Sequence, residues 1–206
     1  MAGIDVGGAR KGFHAVALYG LGAVACFHAR EAAAVVDWCR AQRARVVAVD
    51  APCRWSATGK ARAAERALAA LGVRCFATPV EAVARSHPFY AWMCNGERLY
   101  AALTRHWRLF DGAVGAGGPL CCETYPHAVA WALAGTPVRA RDKRELRRRL
   151  LDLAGVDTAG LVVQDYIDAA LCALAARGLV HGQFRAFGDA AEGYIVVPLA
   201  GVCARP

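Results

Sequence analysis

The strongest constraint on the fold lies in the first thirty residues. Three strand-like runs, residues 2–6, Phe13-His14-Ala15-Val16-Ala17-Leu18 and Gly22-Ala23-Val24-Ala25-Cys26-Phe27, follow one another closely, with glycines at 7, 8, 12, 20 and 22 marking the turns. Connections this short join only antiparallel neighbours, because a parallel pair needs a crossover of about a dozen residues or more. The period then changes. Residues 31–44 (EAAAVVDWCRAQRA) carry Val35, Trp38, Cys39 and Gln42 at helical spacing. Arg45-Val46-Val47-Ala48-Val49-Asp50 comes next, apolar on both faces and stopped by Asp50-Ala51-Pro52, the pattern of a buried parallel strand covered by helices. A fourth strand reached through a helix is expected to lie parallel to the first and beside it.

The rest of the chain predicts helices around the far side of that sheet. Residues 61–71 (ARAAERALAAL) are helical by propensity and end at Gly72. Residues 73–77 read as a short extended piece before Pro79. The stretch 80–111 is helical and aromatic, and is expected to form an insertion over about 78–111. After the glycine stretch 112–118, Leu120-Cys121-Cys122-Glu123 reads as a strand leading into a helix over 126–134. Asp142-Lys143-Arg144-Glu145 has the spacing of a capping box that opens a helix to residue 153. The last helix is expected over 165–177, followed by a hairpin of 184–187 and 194–197. With no repeats and no long linker, the expectation is one α/β domain over 1–206. Its predicted core is a five-stranded mixed sheet, three antiparallel strands followed by parallel ones, flanked by helices.

Composition narrows the function. Apolar residues make up 57% of the 206 and charged residues 20%, which excludes a disordered chain. No stretch of about 18 apolar residues is free of charge, and a strand begins almost at the first residue, so neither a membrane partner nor a signal peptide is expected. Nine cysteines without CxxC spacing argue against structural zinc and for reduced thiols in the cytoplasm. The net charge is +8 and nearly all of it is arginine, since only Lys11, Lys60 and Lys143 are lysines. That balance suits a protein that meets phosphates, and equally a GC-rich genome.

Five carboxylates stand where such a fold would gather them. Asp5 interrupts an apolar strand, Asp50 ends the fourth, Glu123 ends the next, and Asp165 and Asp168 share one face of the last helix at i and i+3. If the first and fourth strands are parallel neighbours, Asp5 and Asp50 lie roughly 5 Å apart. Clustered carboxylates repel one another unless a cation sits between them, and Mg²⁺ prefers such oxygens. Two ions about 4 Å apart can activate a water and stabilise the leaving oxygen of a phosphodiester. Each acid also has a plainer reading. Asp165 suits a helix N-cap, Asp50 a strand-ending turn, and Glu123 a cap for the helix that follows.

GIDVGGARKGFHAVAL (3–18), VAVDAP (47–52), ARAAERALAALGVRCFATP (61–79), ETYPHA (123–128), DYIDAALCALAAR (165–177) and EGYIVVP (192–198) follow in order. Together they resemble a family of unknown function whose members are predicted to be ribonuclease H-like nucleases. The resemblance implies the ribonuclease H-like fold and Mg²⁺- or Mn²⁺-dependent cleavage of nucleic acid. Holliday-junction resolvases of that superfamily place acids on strand one, at the end of strand four and on the last helix. Asp5, Asp50, and Asp165 with Asp168 match those places, and Glu123 is an addition to the scheme. Asp5, Asp50 and Asp168 are therefore the expected metal ligands, with Asp165 and Glu123 supporting them.

Other signals rank lower. Gly7-Gly8 after Asp5 resembles the first phosphate loop of sugar-kinase and actin-like ATPases, which share this core, but those proteins are longer and carry the core twice. An ATP-dependent phosphotransferase is thus the second reading, and a non-catalytic nucleic-acid-binding protein the third. Arg98 and Arg105 on the middle helix, and Arg144 and Arg148 on the helix after 142, are the expected phosphate contacts. On that later helix Leu146, Leu150 and Leu153 are expected to face inward, with Arg147 and Arg149 on the flanks. Arg62 and Glu65 share a helix face close to the site region, and Lys143 is a further candidate beside the scissile phosphate. His14, His87 and His127 are available as bases but need not be used.

Overall fold

The computed structural model describes residues 1–20, 22–114, 117–136 and 143–199. Strands β1 (Ala2–Val6), β2 (Phe13–Leu18) and β3 (Val24–Ala29) form the antiparallel meander that the short turns dictate. Gly12 closes the first turn at φ 70°, and a Cβ there would lie 2.4 Å from the Ala29 carbonyl oxygen, so only glycine fits. Helix α1 (Ala32–Ala41) crosses over, and β4 (Val46–Asp50) returns parallel to β1 with Asp5 in register with Asp50.

The middle of the chain holds α2 (Ala63–Ala70), α3 (Glu81–Ser86), a 3-10 turn (Pro88–Tyr90), α4 (Ala91–Leu103) and a two-residue strand β5 (Arg108–Leu109). Then come β6 (Leu120–Glu123), α5 (Pro126–Ala134), α6 (Lys143–Leu153), α7 (Gln164–Val180), β7 (Phe184–Asp189) and β8 (Gly193–Pro198). The sheet order is β3-β2-β1-β4-β6-β8-β7, with β5 on the edge of β6. Three antiparallel strands followed by parallel β4 and β6, with helices on both faces, make this a ribonuclease H-like fold.

Helix α7 is the axis of one layer. It packs on β1, β2, β4 and β8, with α5 and α6 against it, and nearly all of its residues from Ile167 to Leu179 are buried. Gly3 makes this contact possible, because a Cβ on it would come within 2.1 Å of the Ala169 oxygen and the Ala173 nitrogen. The other face carries α1 and α4, whose Val35, Val36, Leu99 and Leu103 meet Ile4, Val47 and Val49. A smaller cluster joins α2 to Phe187, Ile195 and Val197.

Several expectations need correction. The sheet has eight strands rather than five, because the terminal hairpin joins it through β8, paired parallel with β6 at Glu123 and Ile195, and β5 adds an edge. Residues 73–77 pair with no described strand and form none themselves. The stretch 80–111 breaks before Pro88, where His87 is extended at φ −119°, ψ 120°, as residues preceding proline prefer. Helix α7 starts one residue earlier, with Val163 as N-cap, so Asp165 is not the cap and its carboxylate is free for other partners. The helix also runs through Gly178, where a Cβ would lie 2.8 Å from the Gln183 oxygen. On α6 the inward residues are Arg147, Leu150 and Leu151, while Leu153 is exposed. Asp142 of the expected capping box, like Arg139, Arg141 and Cys203, lies outside the described residues.

Candidate metal centre

Side chains alternate between the two faces of a sheet, so strand position decides which acids meet. Val46 and Ala48 of β4 and Val16 and Leu18 of β2 pack into the α7 layer, which puts Asp50 and His14 on that face too. Asp5, in register with both Asp50 and His14, shares it. Asp165 and Asp168 reach the same place from the first turns of α7.

Lys11, from the β1–β2 turn, joins two of the acids. Its Nζ lies 3.2 Å from Asp5 Oδ2 and 2.8 Å from Asp165 Oδ1. His14 Nδ1 is 3.7 Å from Asp165 Oδ2. The imidazole contacts His28 and Tyr166, with ring centroids 4.5 and 5.0 Å away. That Nδ1 is buried and has no hydrogen-bond partner among the described residues. One ligand atom each from Asp5, His14 and Asp165 lies within 4.8 Å of the others, spacing that one cation could bridge. Asp168 is held by the buried Arg147 guanidinium, by Gln164 Nε2 at 2.8 Å and by Lys143 Nζ at 3.5 Å. No described group donates a hydrogen bond to the Asp50 carboxylate.

The electrostatics follow from this crowding. Burial pushes the Asp5 carboxyl up to about 6; Lys11 opposes the shift, while Asp168 and Asp165 add to it. Asp50 is raised well above the usual carboxylate range, first by burial and then by Asp5 and Asp168, against the pull of Arg147 and Lys143. Burial works against the Lys11 ammonium, but its bonds to Asp165 and Asp5 hold its pKa above normal. His14 is lowered, chiefly by burial and against the pull of Asp165, which favours the neutral imidazole with its lone pair. Asp5, Asp50, Asp165 and Asp168 thus face Lys11, Lys143 and Arg147, and Asp50 is the acid left over.

The structure does not bring Glu123 to these aspartates. Its register partner Val49 faces the α1–α4 layer, and Glu123 follows it to that side. There its Oε2 accepts from Arg62 Nη1 at 2.9 Å and from the Cys53 amide at 2.8 Å. Arg62 in turn binds Glu65 through Nε at 2.8 Å, all three side chains being buried. Among the expected phosphate contacts, Arg144 and Arg148 reach carbonyl oxygens of the loop before α7, at Val162 (2.6 Å), Leu161 (2.5 Å) and Thr158 (2.6 Å). Arg98 is exposed on α4, whose buried Leu99 and Leu103 belong to the opposite helical layer, whereas Arg105, expected on the same helix, is exposed in the turn that follows it. Sequence reasoning passed over Lys11 and put Arg147 on a flank. The i, i+4 spacing of Lys143 and Arg147, two cations aimed at one acid, was the available signal.

The sheet order, two acids side by side on β1 and β4, and two more on the helix that closes over them define an acid-centred ribonuclease H-like protein. The family comparison agrees with residues 3–193 of this chain. The protein belongs to DUF429, a family described as proteins of unknown function. A solved structure described as "Thermus thermophilus RuvC structure" is similar at 20% identity, with a TM-score of 0.43 over 88% of this chain and 94% of that one. No curated protein matches the chain significantly. Among the described residues no helix is long and apolar enough to cross a membrane.

Proposed function

We propose that this protein is a Mg²⁺- or Mn²⁺-dependent nuclease that hydrolyses phosphodiester bonds of nucleic acid at the aspartate cluster. The observation that carries the reading is the register of Asp5 with Asp50 beneath Asp165 and Asp168. Four acids are held together there, two of them with raised proton affinity, at an energetic cost that a structural role does not require. The residues fit a divalent cation: carboxylate oxygens from Asp5 and Asp165 and a His14 ring nitrogen lie within 4.8 Å of one another. In this reading Asp5 is the central ligand, shared between a position it forms with Asp165 and His14 and a neighbouring one that Asp50 and Asp168 complete. A divalent ion held there supplies charge stabilisation for the phosphate and lowers the pKa of water.

The chain's own residues do the rest. Arg147 is 2% exposed, and with Gln164 it fixes the Asp168 carboxylate in one orientation. Lys143, partly exposed beside Asp168, is placed to meet a phosphate that approaches the cluster. Arg98 and Arg105 are exposed but belong to the α4 side of the sheet, away from the aspartate face, so any strand contact at the cluster falls to Arg144 and Arg148, which also brace the loop before α7. Glu123, neutralised by Arg62, steadies the end of β6 beside the site.

The test is a panel of end-labelled single-stranded, duplex and four-way-junction DNA and RNA, incubated with Mn²⁺ or Mg²⁺. The wild type is expected to cleave at least one of them and to stop on chelation. Asp5→Asn and Asp168→Asn are each expected to slow cleavage by more than about 100-fold, beyond what losing an outer partner of a metal ligand costs. A wild type that cleaves nothing with either ion, or variants that cleave as well as it does, would contradict the proposal.

A further inference from the structure

We infer that Lys11 is a built-in counter-cation occupying the position between Asp5 and Asp165, and that it must leave when a divalent ion enters. The inference rests on the reading of the cluster as a cation site.

Lys11 is placed by more than its charge. Its amide donates to the Gly8 oxygen at 2.9 Å, and its carbonyl faces His28 Nε2 at 2.8 Å. The aliphatic part of the side chain lies over Gly7, where a Cβ would come within 2.5–2.7 Å of its Cβ, Cγ and Cδ atoms. Gly7 is itself fixed, its carbonyl accepting from the buried Asn95 side chain of α4 at 2.9 Å. A glycine shelf and an anchored turn therefore deliver one ammonium between two carboxylates, 3.2 and 2.8 Å from their oxygens.

Those carboxylates are the ones that converge with His14 on a common point. A doubly charged ion bound by the same oxygens would repel an ammonium within hydrogen-bonding distance of them, so the two occupants exclude each other. Lys11 is able to yield, since its side chain is 45% exposed and the turn opens to solvent. Arg147, buried against Asp168, has no such route. The lysine thus relieves the repulsion of the ion-free acids and weakens ion binding by the same contacts, as linkage between two competing ligands requires.

Mn²⁺ titration calorimetry on Lys11→Met and Lys11→Arg tests this, with methionine keeping the aliphatic packing over Gly7. Lys11→Met is expected to bind Mn²⁺ about tenfold tighter than the wild type or more, and Lys11→Arg to stay close to the wild type. A second readout uses amine acetylation with peptide mapping, which is simple because residues 11, 60 and 143 are the only lysines. Mn²⁺ should raise labelling of Lys11 relative to the exposed Lys60. Unchanged or weaker Mn²⁺ binding in Lys11→Met, or Mn²⁺ protecting Lys11 from labelling, overturns the inference. If the wild type binds, Asp5→Asn does not, and Lys11→Met matches the wild type, the cation site stands and the counter-cation falls. If neither the wild type nor Lys11→Met binds, both fall.

Discussion

Replacing Arg62 with methionine is expected to cost about 3–5 kcal/mol of stability, the range for removing one partner of a buried ion pair. Arg62 is 1% exposed and stands between two buried glutamates. Its guanidinium reaches Glu123 at 2.9 and 2.5 Å and Glu65 at 2.8 Å, and it also donates to the Arg54 and Glu192 carbonyl oxygens at 3.3 and 3.2 Å. Glu65 takes further bonds from the Arg62 and Thr78 amides, at 2.9 and 3.1 Å. The network ties α2, the end of β6 and the turn before β8 into one unit. Methionine keeps much of the volume but leaves two carboxylates in the interior without a counter-charge. For a chain of this size the loss should appear as a fall in Tm on the order of 10 °C. Adding Glu123→Gln to Arg62→Met should recover part of it, because one of the stranded charges is then gone. A Tm within about 2 °C of the wild type would show that the network is dispensable.

Asp50→Asn should act in the opposite direction. In the ion-free protein at pH 8 it is expected to raise stability. Both Asp50 and Asp5 have proton affinities raised on folding, so between the unfolded pKa and the folded one the native state binds more protons than the unfolded chain. Stability therefore falls as pH rises through that window, and the loss is complete above the folded pKa. For Asp5 the window runs from its ordinary value of 3.8 to about 6. For Asp50 it extends upward from the same ordinary value. Asparagine cannot ionise, so the variant should lose much of this slope. Urea unfolding in chelator at pH 5 and pH 8 measures it. A variant less stable than the wild type at pH 8 would mean that the Asp50 carboxylate holds the fold together, contrary to this account. Sites kept at the expense of stability are where function is found.

Much of this arrangement was legible in the sequence because it depends on short-range rules. Turns of a few residues forced β1 to β3 to be antiparallel, and the helix before residues 46–50 forced β4 back beside β1, so the pairing of Asp5 with Asp50 followed from topology. What escaped depends on parity and on long-range contact. Glu123 ends a strand as Asp50 does, yet it stands one residue out of phase with the α7 face, and only the β4–β6 register reveals this. Lys11 sits in a turn whose side-chain directions no periodicity describes. Arg147 breaks the rule that a charged residue on an amphipathic helix faces outward, because its partner Asp168 lies on another helix. The terminal hairpin was visible as two strands, but its parallel docking on β6 through a single register pair was not.

The most direct measurement is a calorimetric titration of Mn²⁺ into the wild type and into Asp5→Asn. Saturable binding to the wild type that is lost in Asp5→Asn is the predicted result, since Asp5 is the acid that faces both Asp50 and Asp165. Equal binding by the two proteins would place the ion elsewhere, and no binding by the wild type would contradict the central claim that these aspartates form a cation site.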